Sequence, residues 1–309
     1  WLAANGNADA TELCGSITWT NDFTSLSDEC GATGSATVTF TATDDCGNSI
    51  TGEATFTIVD TTDPVVGCDP SSPTVECVGD AQNKINAAAW NQQNIDNLTT
   101  CSSDLCGDIL VTSDFDFNNI VLDCGVTGAI TVIYTITDDC GNAITKTATY
   151  TIQDTQAPIV DCDPDDMMHE CNGFDGNSFA ALSWDGANLT KLRNCSDDDC
   201  GGVEVTSDFD YANLIGDCAL TGSITVTYTI TDECLNSTQV QATYTIIDTS
   251  DPIVDCDPDD ETHECNGLEG NSFSALAWNG ANLTKLRNCS DDDCGGVEVT
   301  SDFDYANLS

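Results

Sequence analysis

The chain has 309 residues, 53 of them acidic against 6 basic, giving a formal charge of −47 and an isoelectric point of about 4.1. So negative a surface repels phosphate backbones and anionic lipid headgroups, and the clustered Lys and Arg that either would need are missing, which excludes nucleic acid as a partner. Hydrophobic residues still make up 40% of the chain, enough to bury a core, so this acidity belongs to a folded protein.

The 19 cysteines fit an oxidising, extracellular setting, since thiols in a reducing cytosol stay free to oxidise or capture metals. No stretch approaches the roughly 18 consecutive apolar residues of a membrane span, and no basic-apolar leader pattern opens the chain, so the expectation is neither anchor nor precursor start.

In chain order, residues 1–61 carry an alternating run (Ala36, Val38, Phe40, Ala42), a polar turn Asp44-Asp45-Cys46-Gly47-Asn48, and a second run ending at Asp60. Period-two alternation across a tight turn predicts a β-hairpin with one buried and one solvated face. Residues 62–155 start with a predicted strand at Thr74-Val75-Glu76, before Cys77, and a short helix from Ile85 to Leu98 around Trp90. A strand from Ile109 to Phe115 follows, then a hairpin through Ile130, Val132, Tyr134 and Ile136, the turn 138–142, and Ala148, Tyr150 and Ile152. Residues 156–249 repeat this order, with Val203 to Phe209 and Ile224, Val226, Tyr228 and Ile230 in the matching places, and residues 250–309 begin it again.

The period is 94 residues, kept by Cys68, Cys162 and Cys256 and by Cys77, Cys171 and Cys265. Asp161 to Leu214 matches Asp255 to Leu308 at all but seven of 54 positions. The domains expected are therefore two complete repeats, 62–155 and 156–249, flanked by partial ones at 1–61 and 250–309, within a longer array. Several strands in each repeat predict an all-β class: tandem immunoglobulin-like antiparallel β-sandwiches with a short helix apiece, arranged as an extended rod.

Six cysteines per repeat permit fifteen pairings. The first copy keeps Cys14, Cys30 and Cys46 but has no counterpart of Cys101, so the partner of Cys101 is Cys68 or Cys77, and Cys68 is preferred. In a sandwich the strand leaving Cys106 starts beside the end of the strand that reaches Cys140, which pairs those two and leaves Cys77 for Cys124. The expected bonds are 14–46, 68–101, 77–124, 106–140, 162–195, 171–218, 200–234 and 256–289, with Cys30, Cys265 and Cys294 bonded beyond the segment. Metal binding by Cys101 and Cys106 is disfavoured, because no second thiolate pair or histidine set at zinc spacing accompanies them.

Carboxylates gather at the ends of the second hairpin strands (Asp60 and Asp63, Asp154, Asp248 and Asp251) and at the turns (Asp138 and Asp139, Asp232 and Glu233). In a head-to-tail array Asp60, Asp63, Asp138 and Asp139 would converge on a hard cation, calcium being the expected ion. The competing reading is that excess acid keeps an extended fibre soluble.

No catalytic residue and no organic cofactor is expected. His169 and His263 stand in His-Glu-Cys, without the second histidine of a zinc helix, and read as surface or turn residues; nucleophile elbows, Walker loops and dinucleotide fingerprints are missing. Asn97, Asn188, Asn236 and Asn282 fit the N-glycosylation sequon. Exposed aromatics such as Trp19 or Tyr211 would serve a carbohydrate-binding array, although Trp19 stands where other copies have Val111 and Val205, a core position.

The run from Gly34 to Asn48, with Ala54 to Pro64 after it, resembles the HYR-like domain, in particular the four-cysteine version found in tandem in giant secreted proteins of Bacteroidota. The family's four cysteines would map to Cys77, Cys106, Cys124 and Cys140, leaving Cys68 and Cys101 as an extra pair; Leu235 departs from the usual Gly of the turn. The resemblance implies the structural stalk of a very long cell-surface adhesin, exported by the type IX system and similar to the SprB-type gliding adhesins. Its expected partners are neighbouring repeats, other copies of the fibre in a lateral filament or sheath, or surface glycans.

Overall fold

A computed structural model describes residues 1–13, 15–216, 220–304 and 306. Contacts divide the chain into two compact units, residues 1–154 and 155–309.

The first unit contains β1 (Ile17–Asn21), β2 (Gly34–Asp44), β3 (Ser49–Ile58), β4 (Val65–Val66), β5 (Thr74–Glu76), α1 (Asp80–Cys101), β6 (Ser102–Ser103), β7 (Ile109–Ser113), β8 (Val121–Leu122), β9 (Gly128–Asp138) and β10 (Ala143–Gln153). Strands β1, β2 and β3 form one antiparallel sheet; β5, β10, β9 and β7 form another, with β8 also on β9 and β5 parallel to β10. The second unit contains β11 (Ile159–Val160), β12 (Met167–Glu170), α2 (Gly173–Cys195), β13 (Ser196–Asp197), β14 (Val203–Ser207), β15 (Gly222–Asp232), β16 (Ser237–Ile247), β17 (Ile253–Val254), α3 (Gly267–Cys289) and β18 (Ser290–Asp291). Its main sheet has the order β12, β16, β15, β14, again with the first strand parallel to its neighbour.

Each hairpin follows the alternation in its sequence. Ile130, Val132, Tyr134 and Ile136 of β9 are buried, as are Ala148, Tyr150 and Ile152 of β10, and Val226, Tyr228, Ile230 and Tyr244 repeat the pattern. The solvated face carries threonines hydrogen-bonded across strands, Thr131 to Thr149 at 3.0 Å and Thr225 to Thr243 at 3.2 Å.

The layer over the buried face differs from expectation. A helix covers it, where a sandwich would place a second sheet: α1 packs on β7 and β9, and α2 on β12, β14, β15 and β16. The helix is also longer than the stretch 85–98, running over 22 residues in α1 and 23 in α2. Its buried stripe is Asn83, Ala87, Trp90, Asn94 and Leu98, spaced by three or four residues so that all lie on one face. Trp90 sits on Tyr150 with ring centroids 5.1 Å apart, and Trp184 on Tyr244 at 5.3 Å. Each such aromatic or leucine, once buried, contributes about 1.5–3 kcal/mol.

The two asparagines in the stripe are satisfied by specific bonds, as buried amides must be. Asn94 accepts from the Ser71 amide at 2.9 Å and donates to the Tyr134 hydroxyl at 3.2 Å. Asn83 accepts from the Val78 amide and donates to Cys77 Sγ at 3.2 Å, fixing the chain where it enters the helix. The same pair recurs in α2 as Asn188 with Tyr228 and Asn177 with Cys171. His169, expected in a turn or on the surface, lies instead in β12, half-buried and stacked on Tyr244 at 6.2 Å. No helix among the described residues is long and apolar enough to cross a membrane.

Candidate functional site

The hairpin turns explain where most of the expected metal ligands go. At the first turn the Asp44 carboxylate accepts from the amides of Cys46 and Asn48 at 2.9 and 2.8 Å and from Asn48 Nδ2 at 2.8 Å. Asp138 holds Cys140 and Asn142 in the same way, and Asp232 holds Asn236. Burial opposes the Asp138 charge, but these donors outweigh it and hold its carboxyl below the ordinary range; at Asp44 the side chain and amide of Asn48 do the same. Position 47 and position 141 are glycines at φ +87° and +90°, whereas Leu235 is forced to φ +73°.

Asp138 and Asp232, both expected as cation ligands, therefore close turns. Asp139 accepts from the Asp108 amide at 2.9 Å and Glu233 from the Gly202 amide at 3.3 Å, so both tie the turn to the loop after a Cys-Gly pair. Asp63 and Asp251 are exposed, Asp248 accepts from the Ser250 amide, and Asp154 is half-buried after β10.

What does converge is a group that includes only one of the four expected ligands. Asp60, Asp104 and Cys106 place their ligand atoms within 4.8 Å of one another, as do Asp248, Asp292 and Cys294. Asp60 Oδ2 is buried and accepts no hydrogen bond, while its Oδ1 accepts from Thr62. Burial raises the Cys106 thiol pKa, and the carboxylates of Asp60, Asp104 and Asp138 raise it further. Asp104 had no sequence signal beyond its abundance; its side chain turns inward because it accepts from the Cys106 amide at 2.7 Å, a local turn the Asp-x-Cys order allows.

The cysteines are the second site. Cys68 is bonded to Cys101, Cys162 to Cys195 and Cys256 to Cys289, each spanning 33 residues and fastening the end of a helix to the strand before it. Cys30 is bonded to Cys140 and Cys171 to Cys294, across 110 and 123 residues, both longer than the repeat. The expected 106–140 and 171–218 bonds are thus not formed, and Cys30 and Cys294 find partners inside the segment. Cys46 is unbonded, so 14–46 is not formed either; Cys14 and Cys218 lie outside the described residues. Cys77, Cys124, Cys200 and Cys234 are disulfide-bonded, and Cys106 and Cys265 carry free thiols. Cys140, in the turn after β9, meets the loop that carries Cys30, and Cys171, just before α2, meets the loop after β18 that carries Cys294, so both bonds join segments of different copies of the 94-residue period. Cys140 Sγ lies against the Cys30 carbonyl, and the Ala32 amide donates to the Cys106 carbonyl at 2.5 Å.

Two sequon asparagines are structural. Asn188 is 1% exposed, accepting from the Asp165 amide and donating to the Asp165 carbonyl and Tyr228 hydroxyl, and Asn282 makes the matching bonds to Asp259. Neither amide is open to a glycan. Asn97 is exposed on α1, and Asn236 donates to Asp232. Trp19 is half-buried opposite Ala42, and Tyr211, also half-buried, makes a T-shaped contact with Phe174 at 5.7 Å. Each of the four lysines is paired with an aspartate.

No family model and no curated protein matches the chain. Similar solved structures include PcdhgB3 EC1–4, at 9% identity over 76% of this chain and 67% of that one, with a TM-score of 0.25. A three-immunoglobulin segment of titin gives 7% identity over 75% and 88%, with a TM-score of 0.28. The Protocadherin gammaB7 EC3–6 cis-dimer gives 9% over 78% and 69%, with a TM-score of 0.25. Overlaps of this size decide neither fold nor role.

Proposed function

We propose that the chain is part of the stalk of an extracellular surface adhesin, its repeats serving as covalently joined spacers that carry an adhesive element away from the cell. The observation that supports this most is the pair of disulfides spanning more than one repeat, Cys30–Cys140 and Cys171–Cys294. A bond closing a loop of about 100 residues removes on the order of 4–5 kcal/mol of unfolded-chain entropy, so a neighbour's unfolding is opposed covalently. Such bonds persist only in an oxidising compartment, which suits a secreted fibre. No catalytic role is proposed. The resemblance to tandem HYR-like repeats extends the proposal to export by the type IX system and to gliding motility.

Calcium belongs to the same proposal. Asp60 and Asp104 fit a hard cation, because the buried, unpartnered Asp60 Oδ2 would gain a ligand bond and water would complete the oxygen shell. Calcium should raise the melting temperature of the wild-type chain more than that of Asp60→Asn, in which the Asp248–Asp292 group remains; equal shifts in both would remove the Asp60 group from the proposal. The adhesive reading is tested by labelling living cells with an antibody to the two-repeat unit and tracking the label. Extended surface threads support a stalk, and their movement supports gliding; label confined to the cell interior would overturn both.

A further inference from the structure

The chain has 2 methionines and 2 histidines, and three of these four residues are consecutive in β12, as Met167, Met168 and His169. Side chains alternate along a strand, so Met167 and His169 share one face and Met168 takes the other. The register sets Met167 beside Tyr244 and His169 beside Ile246, both buried residues of β16. Met168 pairs with Thr245 on the solvated side and is 69% exposed.

Met167 and His169 line a groove of about 520 Å³ between β12 and α2, with Phe179 and Trp184 on its helical side. His169 Nε2 is buried and makes no hydrogen bond, a costly state for a ring nitrogen. The other polar side chains of the groove that could have served it are committed. Asp165 Oδ1 accepts from Lys191 at 2.6 Å and Asp166 Oδ1 from the Thr243 amide at 2.7 Å. Asn188 is held by the Asp165 backbone and the Tyr228 hydroxyl. On the face it shares with His169, β12 then offers only the thioether of Met167, a weak acceptor of hydrogen bonds. Side chains at these two positions can reach each other: one period later they are Glu261 and His263, with Glu261 Oε1 2.8 Å from His263 Nε2. One period earlier they are Pro73 and Val75, which bring no such pair.

We propose that Met167 Sδ and His169 Nε2 form a binding site for a soft monovalent cation, copper(I) or silver(I), in the groove between β12 and α2. A thioether paired with an imidazole selects such ions, which accept two or three ligands, whereas calcium and magnesium require several oxygens. The surroundings favour the same choice. The Phe179 and Trp184 rings displace water, which a weakly hydrated ion gives up readily, and their faces attract a cation. An oxidising compartment suits this ligand pair too, because neither group is consumed as a disulfide. The site is separate from the Asp60 and Asp104 group and independent of the adhesive reading.

The test uses the full 309-residue chain with its free thiols, Cys46, Cys106 and Cys265 among them, first alkylated by iodoacetamide. Silver nitrate is titrated in chloride-free buffer, and the methionine methyl and histidine ring signals are followed by NMR. The Met167 methyl and His169 Nε2 should shift together, while Met168 and His263 stay in place as internal controls. Met167→Leu and His169→Gln should each weaken silver binding by about tenfold or more, since even outer partners of a metal ligand are worth that much. Met167→Glu, which copies Glu261, should lose silver as well. Near-ultraviolet dichroism verifies that each variant is folded, and calcium should not displace the silver. The proposal is overturned if neither signal shifts, if Met168 or His263 responds equally, if Met167→Leu binds silver like the wild type, or if calcium displaces it.

Discussion

Leu235 is the only described non-glycine at positive φ inside a hairpin turn, and it isolates a backbone cost from everything else. Its side chain is 82% exposed, so replacing it removes little packing. An L-residue in the left-handed region costs about 1–2 kcal/mol, and a glycine there loses about 0.5–1 kcal/mol through its freer unfolded chain. Leu235→Gly should therefore stabilise by about 0.5–1 kcal/mol, which for a unit of this size raises the melting temperature by about 1–4 °C. The reciprocal change is Gly141→Leu, at φ +90° in the equivalent turn, where no atom lies within 4 Å of an added Cβ. It should destabilise by a similar amount through the backbone alone. Leu235→Ala keeps a Cβ and should change little. Thermal unfolding of the oxidised chains, followed by circular dichroism, measures all three. An unchanged or lower melting temperature for Leu235→Gly would refute the strain argument, as would an unchanged one for Gly141→Leu.

Other outcomes follow from the same geometry. Non-reducing peptide mapping should recover Cys30 linked to Cys140; recovery of Cys106 linked to Cys140 would restore the pairing within one repeat. Asn188→Ala strands the Tyr228 hydroxyl and the Asp165 backbone in the core, and should cost about 2–4 kcal/mol in denaturant unfolding while leaving the chain mass free of any glycan change at that site. Burial raises the pKa of Tyr134, Tyr150 and Tyr228 and pushes Tyr244 up to about 12. The unfolded chain ionises first, near pH 10, so stability is intact below that and falls above it by about 1.4 kcal/mol per pH unit for each such tyrosine, until the folded pKa is reached. Phenolate absorbance should accordingly rise together with loss of near-ultraviolet dichroism; all six tyrosines ionising near pH 10 with the native spectrum intact would contradict this.

The strands were legible because an alternating Ile-Thr-Val run has one way to divide its faces between core and water, and Tyr134 and Tyr228 fall where that rule puts them. The turns were legible too, from Asp-x-Cys-Gly-Asn, although the role of Asp138 was not: a carboxylate that closes its own turn and one that binds a cation look alike in sequence. The expected helix started too late because the buried stripe opens with Asn83, which hydropathy counts as a solvent residue and which only its bonds to the Val78 amide and Cys77 Sγ make compatible with burial.

By itself, the sequence determined the 94-residue period, the buried face of each hairpin and the excess of negative charge, because each depends on residue order alone. The tertiary structure decided that a helix is the second layer, that Asp60 meets Asp104, and that Cys30 reaches Cys140 and Cys171 reaches Cys294. These are distances between residues 44 to 123 positions apart. Chain order constrains such distances only through the packing of everything between them.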